Sequence, residues 1–291
     1  MDKILIFGGK GQLGQCLRAA APHDDRLLFL SSSEADICDE SRLTHLFKQY
    51  TPRIVINCAA YTAVDKAEDE VEAATLLNAH APAVLAGICK AYRTELVHIS
   101  TDFVFGGDVT GWLTETDPTR PLGVYGQTKL KGEEAIQQIW ERHFIIRTSW
   151  LYAEYGNNFV KTMMRLAQER DELRVIADQV GTPTYGMDLA KVILHLVDSP
   201  EREYGIYHYS NEGIASWYDF AHAILYMSHL NTKLLPIPTS AFPTKAQRPA
   251  YSVMDKSKMK TQFNIVIPHW RDSLQCCLEK ILSGNSDVDE S

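Results

Sequence analysis

Long hydrophobic runs are missing from this 291-residue chain. No apolar stretch approaches the roughly 18 to 20 residues that a bilayer span requires, which argues against a membrane protein. Met1-Asp2-Lys3 leads straight into Ile4-Leu5-Ile6-Phe7. That run is too short for the core of a signal peptide, and glycines rather than a cleavage site follow it. Paired cysteines are missing too. Cys16, Cys38, Cys58, Cys89, Cys276 and Cys277 form no C-x-x-C and share no metal-ligand spacing with histidine. Reduced thiols in a cytoplasmic protein are the expectation, with no metal site. Positive charge is in deficit, with 29 Lys and Arg against 37 Asp and Glu. The net charge of −8 argues against nucleic acid as a partner, though a local basic pocket for a diphosphate stays open. Internal repeats and low-complexity tracts are absent before the polar tail Ser283 to Ser291, which is expected to be loose.

What is present is an ordinary globular composition, 45% hydrophobic and 23% charged. The length suits one large core or two modest domains. Through the first half, short apolar runs alternate with helix-period stretches. The runs are Ile4-Phe7, Leu27-Leu30, Ile54-Asn57, Leu96-Ser100 and Phe144-Arg147; the helical stretches are Leu13-Ala20, Ser41-Tyr50, Ala67-Asn78, Ala81-Tyr92 and Tyr125-Glu141. Continuously apolar strands alternating with helices predict a parallel sheet covered on both faces. Right-handed crossovers make that an α/β, doubly wound, Rossmann-type fold over residues 1–150. Beyond about residue 150, Pro183, Pro200, Pro236, Pro238, Pro243, Pro249 and Pro268 cut the chain into shorter pieces. Helices are predicted at Asn158-Glu169, Asp188-Asp198, Ser216-His229 and His269-Leu282. Residues 151–291 are therefore expected to form mainly a smaller C-terminal lobe, with a discontinuous and approximate boundary.

The first predicted strand ends in Gly8-Gly9-Lys10-Gly11-Gln12-Leu13-Gly14. This satisfies G-x-G-x-x-G with a strand before it and a helix after it. Glycines let the turn tighten and let backbone amides at the helix N-terminus approach a pyrophosphate. A dinucleotide site is a better account than an idle strand–helix turn. The second strand ends in Leu30-Ser31-Ser32-Ser33 rather than in the acidic residue that would bond an NAD ribose. Serines would not repel a 2′-phosphate, but no arginine is there to hold one and Glu34 follows. NADPH is favoured, with NADH also open.

Tyr125 and Lys129 form a Y-x-x-x-K spacing at the start of the helix after the fourth strand. Residues four apart share a helical face, so phenol and ammonium are predicted to point at one site. A free phenol has a pKa of about 10. The lysine, with an oxidised nicotinamide, is expected to pull that value down, so that Tyr125 exchanges a proton with a carbonyl oxygen as hydride reaches the carbon. Lys129 is also placed to hold ribose hydroxyls. Thr101, at the carboxyl end of the fourth strand, is the candidate for polarising the carbonyl by a hydrogen bond. His98 reads as a packed strand histidine, and Trp217, Tyr218 and Phe220 as a helix core face.

The glycine turn, the threonine and the Y-x-x-x-K pair together resemble the extended short-chain dehydrogenase/reductase superfamily. Longer segments narrow the resemblance to the dTDP-4-dehydrorhamnose reductase family. These are Val55 to Glu68, Ser100 to Phe105, Pro121 to Leu130, Arg147 to Trp150, Gly156 to Phe159, Asp178 to Thr184, and Arg248-Pro249. The resemblance covers nearly the whole chain. It implies reduction of the 4-keto group of dTDP-4-dehydro-L-rhamnose to dTDP-L-rhamnose for cell-surface polysaccharide, with the C-terminal lobe holding the sugar nucleotide. By the same resemblance, Gly11, Gln12 and Leu13 belong to the cofactor-diphosphate turn, to which the glycine spacing adds Gly8 and Gly14 as cofactor-binding candidates. Asp36 and Ile37 meet the adenine, and Ala60, Tyr61 and Thr62 run beside the cofactor. Thr101, Asp102 and Trp150 lie near the sugar, and Asn158, Lys161 and Arg248 are further substrate candidates; Lys161 reads equally well as a solvated charge.

Some members dimerise around a magnesium ion held by glutamates, at positions occupied in this chain by Cys16 and Met187. A thiol and a thioether are poor ligands for a hard cation. A monomer or weak homodimer without that metal bridge is therefore expected. Two other functions stay open: a reductase or epimerase of another nucleotide sugar, and a non-catalytic subunit resembling the regulatory subunit of methionine adenosyltransferase.

Overall fold

The computed structural model describes residues 2–109 and 111–286. Its strands are β1 (Ile4–Phe7), β2 (Leu27–Leu30), β3 (Ile54–Asn57), β4 (Glu95–Thr101), β5 (His143–Thr148), β6 (Leu151–Tyr152), β7 (Glu172–Ile176), β8 (Val180–Gly181), β9 (Thr184–Tyr185), β10 (Gly205–His208), β11 (Ala215–Ser216) and β12 (Lys233–Ile237). The helices are α1 (Gln12–Ala20), α2 (Glu40–Tyr50), α3 (Val64–Ala67), α4 (Val71–Thr75), α5 (Ala81–Tyr92), α6 (Val124–Ile139), α7 (Phe159–Glu169), α8 (Gly186–Asp198), α9 (Trp217–Met227), α10 (Ser257–Phe263) and α11 (Trp270–Ser286). The polar tail was expected to be loose. Its first four residues instead continue α11 to Ser286, and the remainder lies outside the described residues.

One six-stranded parallel sheet, in the order β10-β5-β4-β3-β1-β2, forms the centre. Each of the five apolar runs read from the sequence becomes one of its strands. In β1 all four side chains are fully buried, which stabilises by about 1.5–3 kcal/mol apiece. β1 pairs in register with β2 and β3 on its two sides (Ile4 opposite both Leu27 and Ile54). The strand order therefore reverses beside β1, and ligands of such sheets bind at that reversal, beyond the carboxyl ends. The sixth strand, β10, was not read from the sequence. It pairs with β5, opposing Gly205 to Phe144 and His208 to Arg147. The chain thus returns to the central sheet after residue 200, and α8 packs its Leu189, Ala190 and Ile193 into the same core as Leu13, Cys16 and Leu17 of α1.

Against the expectation of no such stretch, Val71 to Tyr92 forms one 22-residue helical run that is long and apolar enough by composition to cross a membrane, Glu72, Asn78, His80 and Lys90 having broken it up in the linear sequence. Its Ala81, Leu85, Ala86 and Cys89 are buried against the sheet with Leu43 and Phe47 of α2, which is the place of a core helix. Midway, Leu76–His80 widens into a π-helical turn. A second core gathers Tyr152, Val160, Met163, Phe220, Ile224, Trp270 and Leu274 between α7, α9 and α11. Side-chain caps mark the starts of several helices. Asp39 accepts from the Arg42 amide at 2.9 Å, and Ser216 with Asp219 closes a capping box on α9. All six cysteines are free thiols.

Candidate active site

A cleft of about 710 Å³ opens at the carboxyl ends of the strands. Its wall includes Gly8, Gly11, Gln12, Leu13, Asp36, Ile37, Ala60, Thr62, Thr101, Asp102, Tyr125, Lys129 and Trp150, joining most of the residues singled out in the sequence. Gly14 sits behind this wall, where a Cβ would run into Gly8 and Gly9. Tyr61 turns its hydroxyl outward to Glu70, at 2.7 Å. Asn158, Lys161 and Arg248 are not among the lining residues.

The glycine turn is built for close approach. Gly8 has φ of 78°, and a Cβ there would stand 2.8 Å from the Ala59 nitrogen, so only glycine fits. Gly11 caps α1 with no side-chain hydrogen bond, leaving the first amides of the helix to an external anion. Gln12 fixes the turn to the C-terminal half. It donates to the Leu151 carbonyl at 3.1 Å and accepts from Asn158 Nδ2 at 2.8 Å. Asn158 also caps α7 through the Lys161 amide, so it braces the cleft rather than lining it.

A buried amide positions the segment after β3. Asn78, in the π-helical turn, accepts from the Tyr61 amide at 2.8 Å and donates to the Tyr61 carbonyl and to Thr128 Oγ1. Ala60 to Thr62 is thereby clamped to α6, the helix that carries Tyr125 and Lys129. Single π turns of this kind recur at functional sites. At the start of α6, Glu68 accepts from the Val124 amide at 2.8 Å, a carboxylate on the positive end of a helix dipole. Neither Asn78 nor Glu68 was given this role from sequence, because spacing along the chain does not show which loop a distant amide or carboxylate will reach.

The Tyr125 ring meets Phe103 edge-on, with centroids 5.5 Å apart. Burial of its hydroxyl pushes the phenol up to about 12; Thr101 works the other way by a hydrogen bond, and the Asp102 charge adds to the rise. The expectation from sequence was a lowering by the lysine together with an oxidised nicotinamide; the protein's own groups raise it. Lys129 is itself fully buried, donates to the Ile99 carbonyl at 2.7 Å and lies 3.2 Å from His98 Nε2. Burial pushes it down to about 8, with Glu133 and Cys58 favouring its charged form. Dehydration of the phenol thus outweighs any help from the amine, and Tyr125 holds its proton at neutral pH.

Asp102 is buried beside the phenol. Its Oδ1 accepts from Thr101 Oγ1 at 3.2 Å, while its Oδ2 has no hydrogen-bond partner. Burial pushes this carboxyl up to about 6, against the nearby hydroxyls of Ser252 and Thr101. An orphaned buried oxygen in a cleft wall suits a polar ligand group. Behind the site, Arg147 grips Glu133 with both partners buried, its Nη2 at 2.7 Å, and Ser100 donates to the same carboxylate. On the opposite wall Trp150 has φ of 47°, a strained conformation for a bulky residue. It stacks on Trp217 at 3.6 Å with planes 10° apart. Trp217, read from sequence as part of a core face, thus backs the cleft through Trp150. Arg248 pairs with Asp65 at 2.7 Å and lines a separate surface cavity with Asp178 and Gln179.

The chain matches the family described as RmlD substrate binding domain over residues 1–283. It is 40% identical to the dTDP-4-dehydrorhamnose reductase of Aggregatibacter actinomycetemcomitans, covering 94% of this chain and 98% of that one. The chain belongs to the dTDP-4-dehydrorhamnose reductase family. The spore coat polysaccharide biosynthesis protein SpsK of Bacillus subtilis (strain 168) is 41% identical over 96% of this chain and 98% of its own length. The crystal structure of the family's Bacillus anthracis str. Ames member, in complex with NADP, superposes with a TM-score of 0.92 at 37% identity, covering 96% of this chain and 100% of that one. Membership accords with the residues assembled in the cleft, from the glycine turn to the Tyr125–Lys129 pair.

Proposed function

We propose that this protein reduces the 4-keto group of dTDP-4-dehydro-L-rhamnose with NADPH, in the cytoplasm, as a step toward cell-surface polysaccharide. The observation that carries the reading is Tyr125, protonated at neutral pH, beside Thr101 and Asp102 in the same cleft as the uncapped glycine turn.

The cleft residues fit a dinucleotide. Amides at the start of α1 would hold the diphosphate, Asp36 and Ile37 would meet the adenine, and Ala60 to Thr62 would lie beside the remainder. When bound, the dihydronicotinamide supplies hydride. Ser32 and Lys10 both line the cleft. Glu34 is turned back, accepting from the Ser31 amide at 2.8 Å. A hydroxyl and a cation near the adenosine end favour a 2′-phosphate, hence NADPH over NADH. Thr101 polarises the ketone oxygen, and Tyr125 gives that oxygen its proton. The reduction needs the protonated form, and the phenol is in that form at neutral pH. Lys129 steadies the phenolate left behind and holds ribose hydroxyls. Asp102 and Trp150 orient the sugar; Asn158 braces the glycine turn from outside the wall, and Lys161 and Arg248 are further candidates for nucleotide contact. Residues 1–150 serve chiefly the cofactor and 151–291 chiefly the substrate. The protein works as a monomer or weak homodimer.

The test is an assay with purified protein, NADPH and dTDP-4-dehydro-L-rhamnose, following cofactor oxidation and product stereochemistry. Formation of dTDP-L-rhamnose with NADPH preferred over NADH is the expected result. Oxidation only with other nucleotide sugars would replace this substrate, and none with any would overturn the reading.

A further inference from the structure

His98 is a fully buried titratable side chain that the reaction above does not use. Its ring is held from both sides, with Asn57 Nδ2 at 3.2 Å from Nδ1 and Lys129 Nζ at 3.2 Å from Nε2. The Asn57 amide has one workable orientation. Its Oδ1 accepts the backbone N–H of Ala59 at 3.1 Å, and turning the amide over would set N–H against N–H. The amide N–H therefore faces Nδ1, which must be the accepting nitrogen. Burial, and after it the neighbouring Lys129, holds the imidazole well below its usual pKa, so the ring is neutral. A neutral ring with a bare Nδ1 carries its proton on Nε2. That N–H points at the amine of Lys129, whose own N–H donates to the Ile99 carbonyl at 2.7 Å. An ammonium in this place would oppose N–H with N–H, whereas a neutral amine accepts through its lone pair.

We infer that the Asn57–His98 pair is a positioning device that anchors the Lys129 amine and biases it toward its uncharged form. Two groups pull the other way, Glu133 from the same helix and Cys58 from the end of β3. Burial is the main force against them, and the pair, by facing the amine with an N–H, adds to it. Because the charged form of Lys129 steadies the phenolate of Tyr125, the alkaline limb of the reaction then follows the Lys129 titration, which burial and His98 together bring down. This last consequence rests on the proposed reaction; the state of the side chains does not.

The experiment is NMR on the full chain. Nitrogen-15 labelling of histidine reads the tautomer of His98, assigned by its loss in His98→Gln, and the carbon beside the Lys129 amine reads the lysine titration. The expected results are a neutral Nε2–H tautomer and a Lys129 midpoint near 8. In His98→Gln, whose side-chain oxygen accepts from an ammonium, the midpoint should rise by about one pH unit or more. Asn57→Asp offers Nδ1–H an acceptor, turns the tautomer over and should raise the midpoint too, which keeps the test open if the first variant misfolds. An Nδ1–H tautomer or an imidazolium in the parent protein overturns the inference, as does an unmoved midpoint. A shifted midpoint in a protein without reductase activity would uphold the inference and refute the proposed reaction.

Discussion

Asp102 shows how a single residue trades stability for a site. Its carboxyl rises from 3.8 to about 6 on folding, because burial disfavours the anion more than two hydroxyls favour it. Between those values the folded chain binds the extra proton, so this group makes the fold less stable as pH rises through the window and leaves the cost in place at neutral pH. Asp102→Asn should therefore raise stability at pH 7 by on the order of 2 kcal/mol, with the gain fading below pH 4, while turnover falls. Thermal unfolding across that pH range checks it; a variant less stable at neutral pH would show the charge to be well compensated. Thr101, Tyr125 and Lys129 could be singled out from their places at a strand end and a helix start, and Asp102 from the family resemblance; the structure brings all four to one cleft. Their electrostatics could not be read that way. Whether a phenol is lowered by an amine or raised by dehydration depends on burial by Phe103 and on the Ile99 carbonyl, neither visible as spacing.

At the scale of elements, five strands were legible because their residues are apolar on both faces, as a sheet covered by helices demands. β10 was not, because Gly205-Ile206-Tyr207-His208 carries polar and small residues and follows a proline-marked stretch that reads as a separate lobe. The ion pair that joins α6 to β5 was equally hidden, since Glu133 and Arg147 look like surface charges in a linear pattern. Both are buried, and Ser100 completes the network. Arg147→Met would leave the Glu133 carboxylate buried without its partner and should destabilise by about 3–5 kcal/mol. A double variant with Glu133→Gln should recover much of that loss. Denaturant unfolding measures both, and a loss under about 1 kcal/mol in the single variant would mean water reaches the carboxylate.

Across the whole molecule, the glycine turn is tied to the C-terminal half by Gln12 to Leu151 and Asn158, and α3 by the Asp65–Arg248 pair. Cys16 and Met187, at the positions where some relatives are expected to hold magnesium, are both buried in apolar packing. Adding magnesium or a chelator should leave the sedimentation coefficient unchanged; a magnesium-dependent dimer would show another set of carboxylates at the interface. The proposed reaction depends on one phenol held protonated in the cleft. The most direct measurement is the turnover of Tyr125→Phe alongside its affinity for NADPH. The account predicts a kcat lower by about 10²-fold or more with cofactor affinity and fold retained, the usual scale for removing a general acid. Turnover equal to that of the parent protein would contradict it.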